Sequence, residues 1–110
     1  PMFVKLSNGD VRNAYTVKLR NMEGRPREME IGLVGLDGAR MWSDDQSAAT
    51  AGRTLTRSVA ADQADPVRVY VIAPPGTKSQ DFTFSLRALD KEGGSDSHET
   101  HFDSPVEETE

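Results

Sequence analysis

Cysteine is absent from all 110 residues. That absence removes disulfides, thiol nucleophiles, thiolate zinc sites and iron–sulfur ligation from what these residues can do. Long apolar runs are missing too, and no stretch approaches the ~20 residues that a membrane helix needs. The opening "PMFVKLSNGD" lacks the charged, apolar and cleavage regions of a signal peptide. Pro1 as first residue is the start expected of a piece cut from a larger protein. An excess of positive charge is lacking as well, with 13 basic against 18 acidic residues and a net charge of −5. An acidic balance repels phosphate backbones and anionic lipid surfaces, so nucleic acid is not an expected partner.

What remains is a polar chain, 35% hydrophobic and 28% charged, long enough for one core. Helical periodicity is weak, while period-two alternation recurs between turn formers. "MFVKL" reads as a first strand. In "GDVRNAYTVKLRNMEG", Tyr15, Val17 and Leu19 alternate with Ala14, Thr16 and Lys18, which puts the first set in the core. If Tyr15 is buried, its hydroxyl needs a partner. Asn13 and Asn21 are expected to fix turns or strand ends. Further strands are read in "REMEIGLVGL", "ARMW", "TLTRSV", "PVRVYVIAPPG", "DFTFSLRAL" and "SHETHF". The Asp37-Gly38 and Gly93-Gly94 pairs mark turns. Asp62 and Asp65 are read as loop carboxylates, and "DSPVEETE" as a frayed tail, with residues 106–110 outside the domain that spans 1–105. About seven strands with turns every 8–12 residues give the pattern of an all-β antiparallel sandwich. A closed barrel of similar strand count satisfies the same pattern.

Catalytic chemistry finds no constellation. "HETH" sends His98 and His101 to opposite faces if it is a strand, which argues against joint metal ligation. Met2, Met22, Met29 and Met41 are scattered, and Met29 alternates with Ile31 and Leu33 as a core residue would. Asp44-Asp45 and the terminal glutamates lack the spacing of a calcium loop. Ser43 beside Asp44 has no nucleophile-elbow motif, and phosphate-loop and dinucleotide fingerprints are missing. The expected catalytic, cofactor and metal residues are therefore none. Trp42, with the cations Arg12, Lys18 and Arg20, forms the candidate interaction surface.

Whole segments resemble a known family. "PMFVKLSNGDVRNAYTVKLRNMEG" is similar to the start of the C-terminal immunoglobulin-like domain of the FixG family, also called CcoG, the cytochrome c oxidase accessory proteins. The match carries Asn8-Gly9, Arg12, Asn13, Tyr15, Thr16 and Asn21. "DPVRVYVIAPPG" resembles that family's strand of alternating valines before an Ala-Pro turn. "FTFSLRALDKEGG" with "HETHFDSP" resembles its closing hairpin, including Phe102 and Pro105. The likeness runs in order along nearly the whole chain and is weaker between Gly35 and Asp65.

The resemblance implies a periplasmic domain after the last membrane helix of a protein that carries two ferredoxin-type [4Fe-4S] clusters elsewhere. It implies a role in assembling cbb3-type cytochrome oxidase and supplying its copper. The implied partners are assembly factors, oxidase subunits or the parent's own membrane portion. The expected function is non-catalytic docking. Copper binding through Met and His, or a structural periplasmic cap, are the alternatives.

Overall fold

The computed structural model describes residues 3–106. Eight strands follow in chain order: β1 (Val4–Lys5), β2 (Val11–Asn21), β3 (Arg27–Val34), β4 (Arg40–Ser43), β5 (Thr54–Val59), β6 (Gln63–Ala73), β7 (Gln80–Ala88) and β8 (Ser95–Phe102). Two four-stranded sheets result, ordered β1-β2-β6-β4 and β5-β3-β7-β8, with every neighbouring pair antiparallel. This is the expected sandwich. The strand read in "MFVKL" is β1, which among the described residues covers Val4–Lys5. Among the described residues one helical turn lies at Ala48–Thr50, inside "QSAATA".

Alternation decides the core. Val17 and Leu19 are buried, as are Met29, Ile31 and Leu33, then Leu55 and Val59, then Val67, Val69 and Val71. Burying each such side chain stabilises by roughly 1.5–3 kcal/mol, so the inward register is strongly preferred over its one-residue slip. Phe82 and Phe84 face the opposite sheet, where the Tyr15 ring meets them edge-on at 5.5 and 5.3 Å. The Tyr15 hydroxyl donates to the His101 carbonyl at 2.8 Å, which supplies the partner its burial requires. Burial, with Asp103 nearby, pushes the Tyr15 phenol well above its ordinary value and keeps it a donor.

Two asparagines hold strand ends. Asn13 grips Asp103 twice, donating to its carbonyl and accepting its N–H, both at 2.9 Å. Asn21 fixes the loop after β2, as its sequence position suggested, donating to the Arg25 carbonyl at 2.8 Å and accepting the Glu23 N–H at 3.0 Å. The β8 strand pairs with β7 along its full length, and it begins at Ser95 rather than at Ser97. Ordered backbone also runs past Phe102. Ser104 is buried, and Ser79 N–H donates to the Val106 carbonyl at 2.8 Å, so "DSPV" is tied down rather than frayed. Residues 107–110 of the expected tail, like Met2, lie outside the described residues. Asp65 is a second correction. It belongs to β6, which starts at Gln63, and it pairs with Arg57 at 3.1 Å.

Arg53, with no signature in the sequence, binds the carbonyls of Leu33, Gly35, Leu36 and Ala39 at 2.7–3.1 Å. It holds a tight loop in which buried Leu36 adopts a φ of 53°, a conformation costly for a side-chain-bearing residue.

The β7–β8 turn is fastened by charge. Arg27 reaches both Asp90 oxygens, Nε to Oδ2 at 2.7 Å and Nη2 to Oδ1 at 2.8 Å. That hydrogen-bonded guanidinium holds the Asp90 carboxyl far below the usual carboxylate range, with help from Gly93 N–H and Arg25, against partial burial. A carboxyl depressed on folding stabilises fully above its unfolded value, about 3.9, and loses that contribution as pH falls towards the folded one. Thermal midpoints measured between pH 2 and 7 should therefore drop on the acid side. Asp90→Asn should flatten that acid limb; an unchanged limb would place the acid sensitivity elsewhere.

Candidate functional site

The strand pleat gives the β1-β2-β6-β4 sheet an outer face as well as a core face. Residues paired across it share that face: Val4 with Arg12, Arg12 with Ile72 and Ile72 with Arg40 form one row. Tyr70 lies between Ala14 and Trp42, Arg68 is opposite Thr16, Pro66 opposite Lys18, and Ala64 opposite Arg20. Five cations stand on these strands' outer positions, Arg12, Lys18, Arg20, Arg40 and Arg68, and not one carboxylate.

The other sheet's outer face has the reverse sign. Glu28, Glu30, Asp81 and Glu99 stand there, with Arg87 tied to Glu30 at 2.9 Å and His101 Nδ1 2.7 Å from Asp81. A chain of net charge −5 thus keeps one cationic face.

Aromatic packing stiffens this face. Trp42 and Tyr70 lie 5.6 Å apart at 33°, and the Arg12 guanidinium sits 5.3 Å above the Tyr70 ring. Such a cation–π contact holds Arg12 upright at little entropic cost to a later contact. The Arg68 guanidinium is 3.5 Å from Thr16 Oγ1, too long to restrain it. Lys18 and Arg20 are exposed, and among the described residues neither side chain has an ion pair or hydrogen bond. A shallow cavity of about 610 Å³ beside Arg12, Arg68 and Tyr70 continues towards Asp103. Such a surface can recognise negative charge over a broad, flat area. It assembles no nucleophile with a base.

All four sequence candidates fall on this face, but in different roles. Arg12, Lys18 and Arg20 present charge outwards. Trp42 is only 8% exposed and lies outside the core cluster, so it supports the face from beneath rather than contacting a partner broadly. Arg40, Arg68 and Tyr70 were missed. The alternation of "PVRVYVIA" already sends Arg68 and Tyr70 outwards once its valines are placed in the core.

The metal candidates are not brought together. Met29 and Met41 are core residues, Met22 is 74% exposed, and His98 and His101 sit on opposite sides of β8. Among the described residues no three His, Cys, Asp or Glu side chains are grouped to hold a metal ion. Ser43 Oγ is hydrogen-bonded to Asp45, which fixes the start of the β4–β5 loop.

Fold and face together define an immunoglobulin-like sandwich with one cationic sheet face. The model of the family described as "IG-like fold at C-terminal of FixG, putative oxidoreductase" matches residues 1–105, and the chain belongs to that family. It is 37% identical over 91 residues to Nitrogen fixation protein FixG of Rhizobium meliloti, covering 82% of this chain and 17% of that protein. It is 42% identical over 77 residues to Protein RdxA of Cereibacter sphaeroides, covering 70% of this chain and 15% of the relative. Protein RdxB of the same organism is 35% identical over 78 residues, with 70% and 15% covered. The chain thus spans about one sixth of the length of these relatives. No solved structure matches it.

Proposed function

We propose that this chain is a non-catalytic docking domain of a membrane-bound, iron–sulfur electron-transfer protein of the FixG (CcoG) type. It lies on the periplasmic face of the bacterial inner membrane. Its partners are acidic protein surfaces of the machinery that assembles cbb3-type oxidase and supplies its copper, or of the parent's own membrane portion. The carboxylate-free cationic face carries this reading, and the family assignment supports it. Because no residue here is a cysteine, the two [4Fe-4S] clusters of the proposal belong to other parts of the parent and find no thiolate in this chain.

Complementary charge sets association rate and partner choice more than total affinity. Capture from bacterial membranes is therefore expected to weaken as salt rises. The double variant Arg12→Glu/Arg68→Glu should lose the partners that the wild-type chain retains. Identical partner sets for the two proteins, at low salt and with equal thermal midpoints, would end the docking reading through this face.

A further inference from the structure

We infer that the free edge of β2 is a strand-addition site for an extended segment alternating acidic and apolar residues. This inference deepens the docking reading and rests on it. Among the described residues, β1 pairs with Val11 and Arg12 of β2 and no further along it. From Thr16 to Asn21, β2 is paired among the described residues on one side alone, with β6. Along that stretch the groups aimed away from β6 meet no strand among the described residues. A row of such groups is a template for one more strand.

The space beside this edge is shaped for side chains. A slot of about 250 Å³ opens between the sheets there, with Leu19, Met29 and Leu86 as its apolar floor and Gly93, Gly94 and Asp96 along the far wall. In an added strand, successive side chains point to opposite faces. Those facing inwards enter the slot over Leu19 and Leu86, where an apolar group removes surface from water; Arg27 and Arg87, which also line it, are already paired with Asp90 and Glu30, and Asp96 adds a negative charge. Those facing outwards stand beside Lys18 and Arg20, the cations left without partners among the described residues. The edge therefore reads an alternating pattern, apolar within and acidic without.

The same charges exclude other occupants. A second copy's β2 would set Lys18 and Arg20 against their own kind. A second copy's β8 would direct either Asp96, His98 and Thr100 or Ser95, Ser97 and Glu99 into an apolar slot. Edge lysines and arginines ordinarily deter neutral strands. Here they also favour an acidic one.

The test uses the chain with three short synthetic peptides: alternating glutamate and valine, alternating lysine and valine, and a block peptide of the glutamate–valine composition. Fluorescence anisotropy reads affinity, and amide hydrogen exchange reads the edge. The alternating acidic peptide is expected to bind and to slow exchange of the amides within Thr16–Asn21 that point away from β6, while the lysine peptide does not bind. Lys18→Glu/Arg20→Glu should weaken acidic-peptide binding about tenfold, as expected for losing two exposed ion pairs. Equal binding by the block peptide overturns the proposal, as does binding without new protection of the edge. So does protection, before peptide is added, of the amides in that stretch that point away from β6, since the chain would then fill its own edge. Any of these results leaves docking through Arg12 and Arg68 intact, because that reading is tested by separate residues and by membrane capture.

Discussion

Replacing Phe84 with alanine is expected to destabilise the fold by about 3–5 kcal/mol, the range for truncating a buried phenylalanine. Phe84 is 1% exposed and stands mid-strand in β7, paired with Leu33 on one side and His98 on the other. Its ring lies 5.0 Å from Phe82 and 5.3 Å from Tyr15, so it joins both sheets in one aromatic cluster. The walls of the resulting cavity would collapse poorly. Tyr15 is held by its hydroxyl at His101, and Phe82 by the β7 backbone between two paired strands. Domains of this size are stable by only about 5–15 kcal/mol, so the loss would bring the variant close to its threshold at room temperature. Urea unfolding followed by the fluorescence of Trp42, the one tryptophan, would measure it. Val34→Ala, at a position 54% exposed, should stay within about 0.5 kcal/mol of the parent. Equal midpoints for the Phe84 and Val34 variants would refute this account of the core.

Most of that core was legible because burial imposes a period. The triplets Val67-Val69-Val71 and Met29-Ile31-Leu33 announce their inward faces without any knowledge of neighbours. Strand limits were less legible. The residues Gln63 to Asp65 look like loop, yet β6 includes them because β2 runs alongside as far as Asn21, opposite Gln63. A propensity weaker than the neighbouring strand's pairing potential gives way. The segment after Phe102 misled for a similar reason. Its polarity suggested fraying, but Asn13 and Ser79 supply the hydrogen bonds that hold it.

The cationic face was legible only in pieces. Arg12, Lys18 and Arg20 share one strand, so their common face follows from alternation alone. Arg68 and Arg40 come from strands far along the chain, and only the pairing of β6 with both β2 and β4 brings them beside Arg12. The chain's net charge of −5 conceals this, because composition sums over both sheets while a partner meets one. Trp42 shows the opposite limit. Residue type marked it as a contact, but it is buried, with its ring against Tyr70.

Asn21→Leu should cost about 2–4 kcal/mol, since each buried polar group left unpaired costs about 1–3 kcal/mol. Asn21 is 0% exposed. Its Nδ2 lies 2.8 Å from the Arg25 carbonyl and 3.1 Å from those of Val59 and Ala60, while its Oδ1 accepts Glu23 N–H at 3.0 Å. One amide thereby closes the β2–β3 loop against the end of β5. Leucine keeps the volume but leaves these groups without their partner, so the expected loss reflects polarity rather than packing. Asn21→Asp separates the two contributions. A carboxylate still accepts from Glu23 but faces three carbonyl oxygens, so its folded pKa should lie above the unfolded value of about 3.9. A carboxyl raised on folding binds its proton more tightly in the native state. Relative to wild type, this variant should be at its best below pH ~4, and it should lose stability as pH rises from there through the raised value. Denaturation midpoints of the three proteins, measured at about pH 3.5 and about pH 7, on either side of that unfolded value, decide the matter. If the deficit of Asn21→Asp is the same at both, the carbonyls around this side chain are satisfied by something other than Asn21.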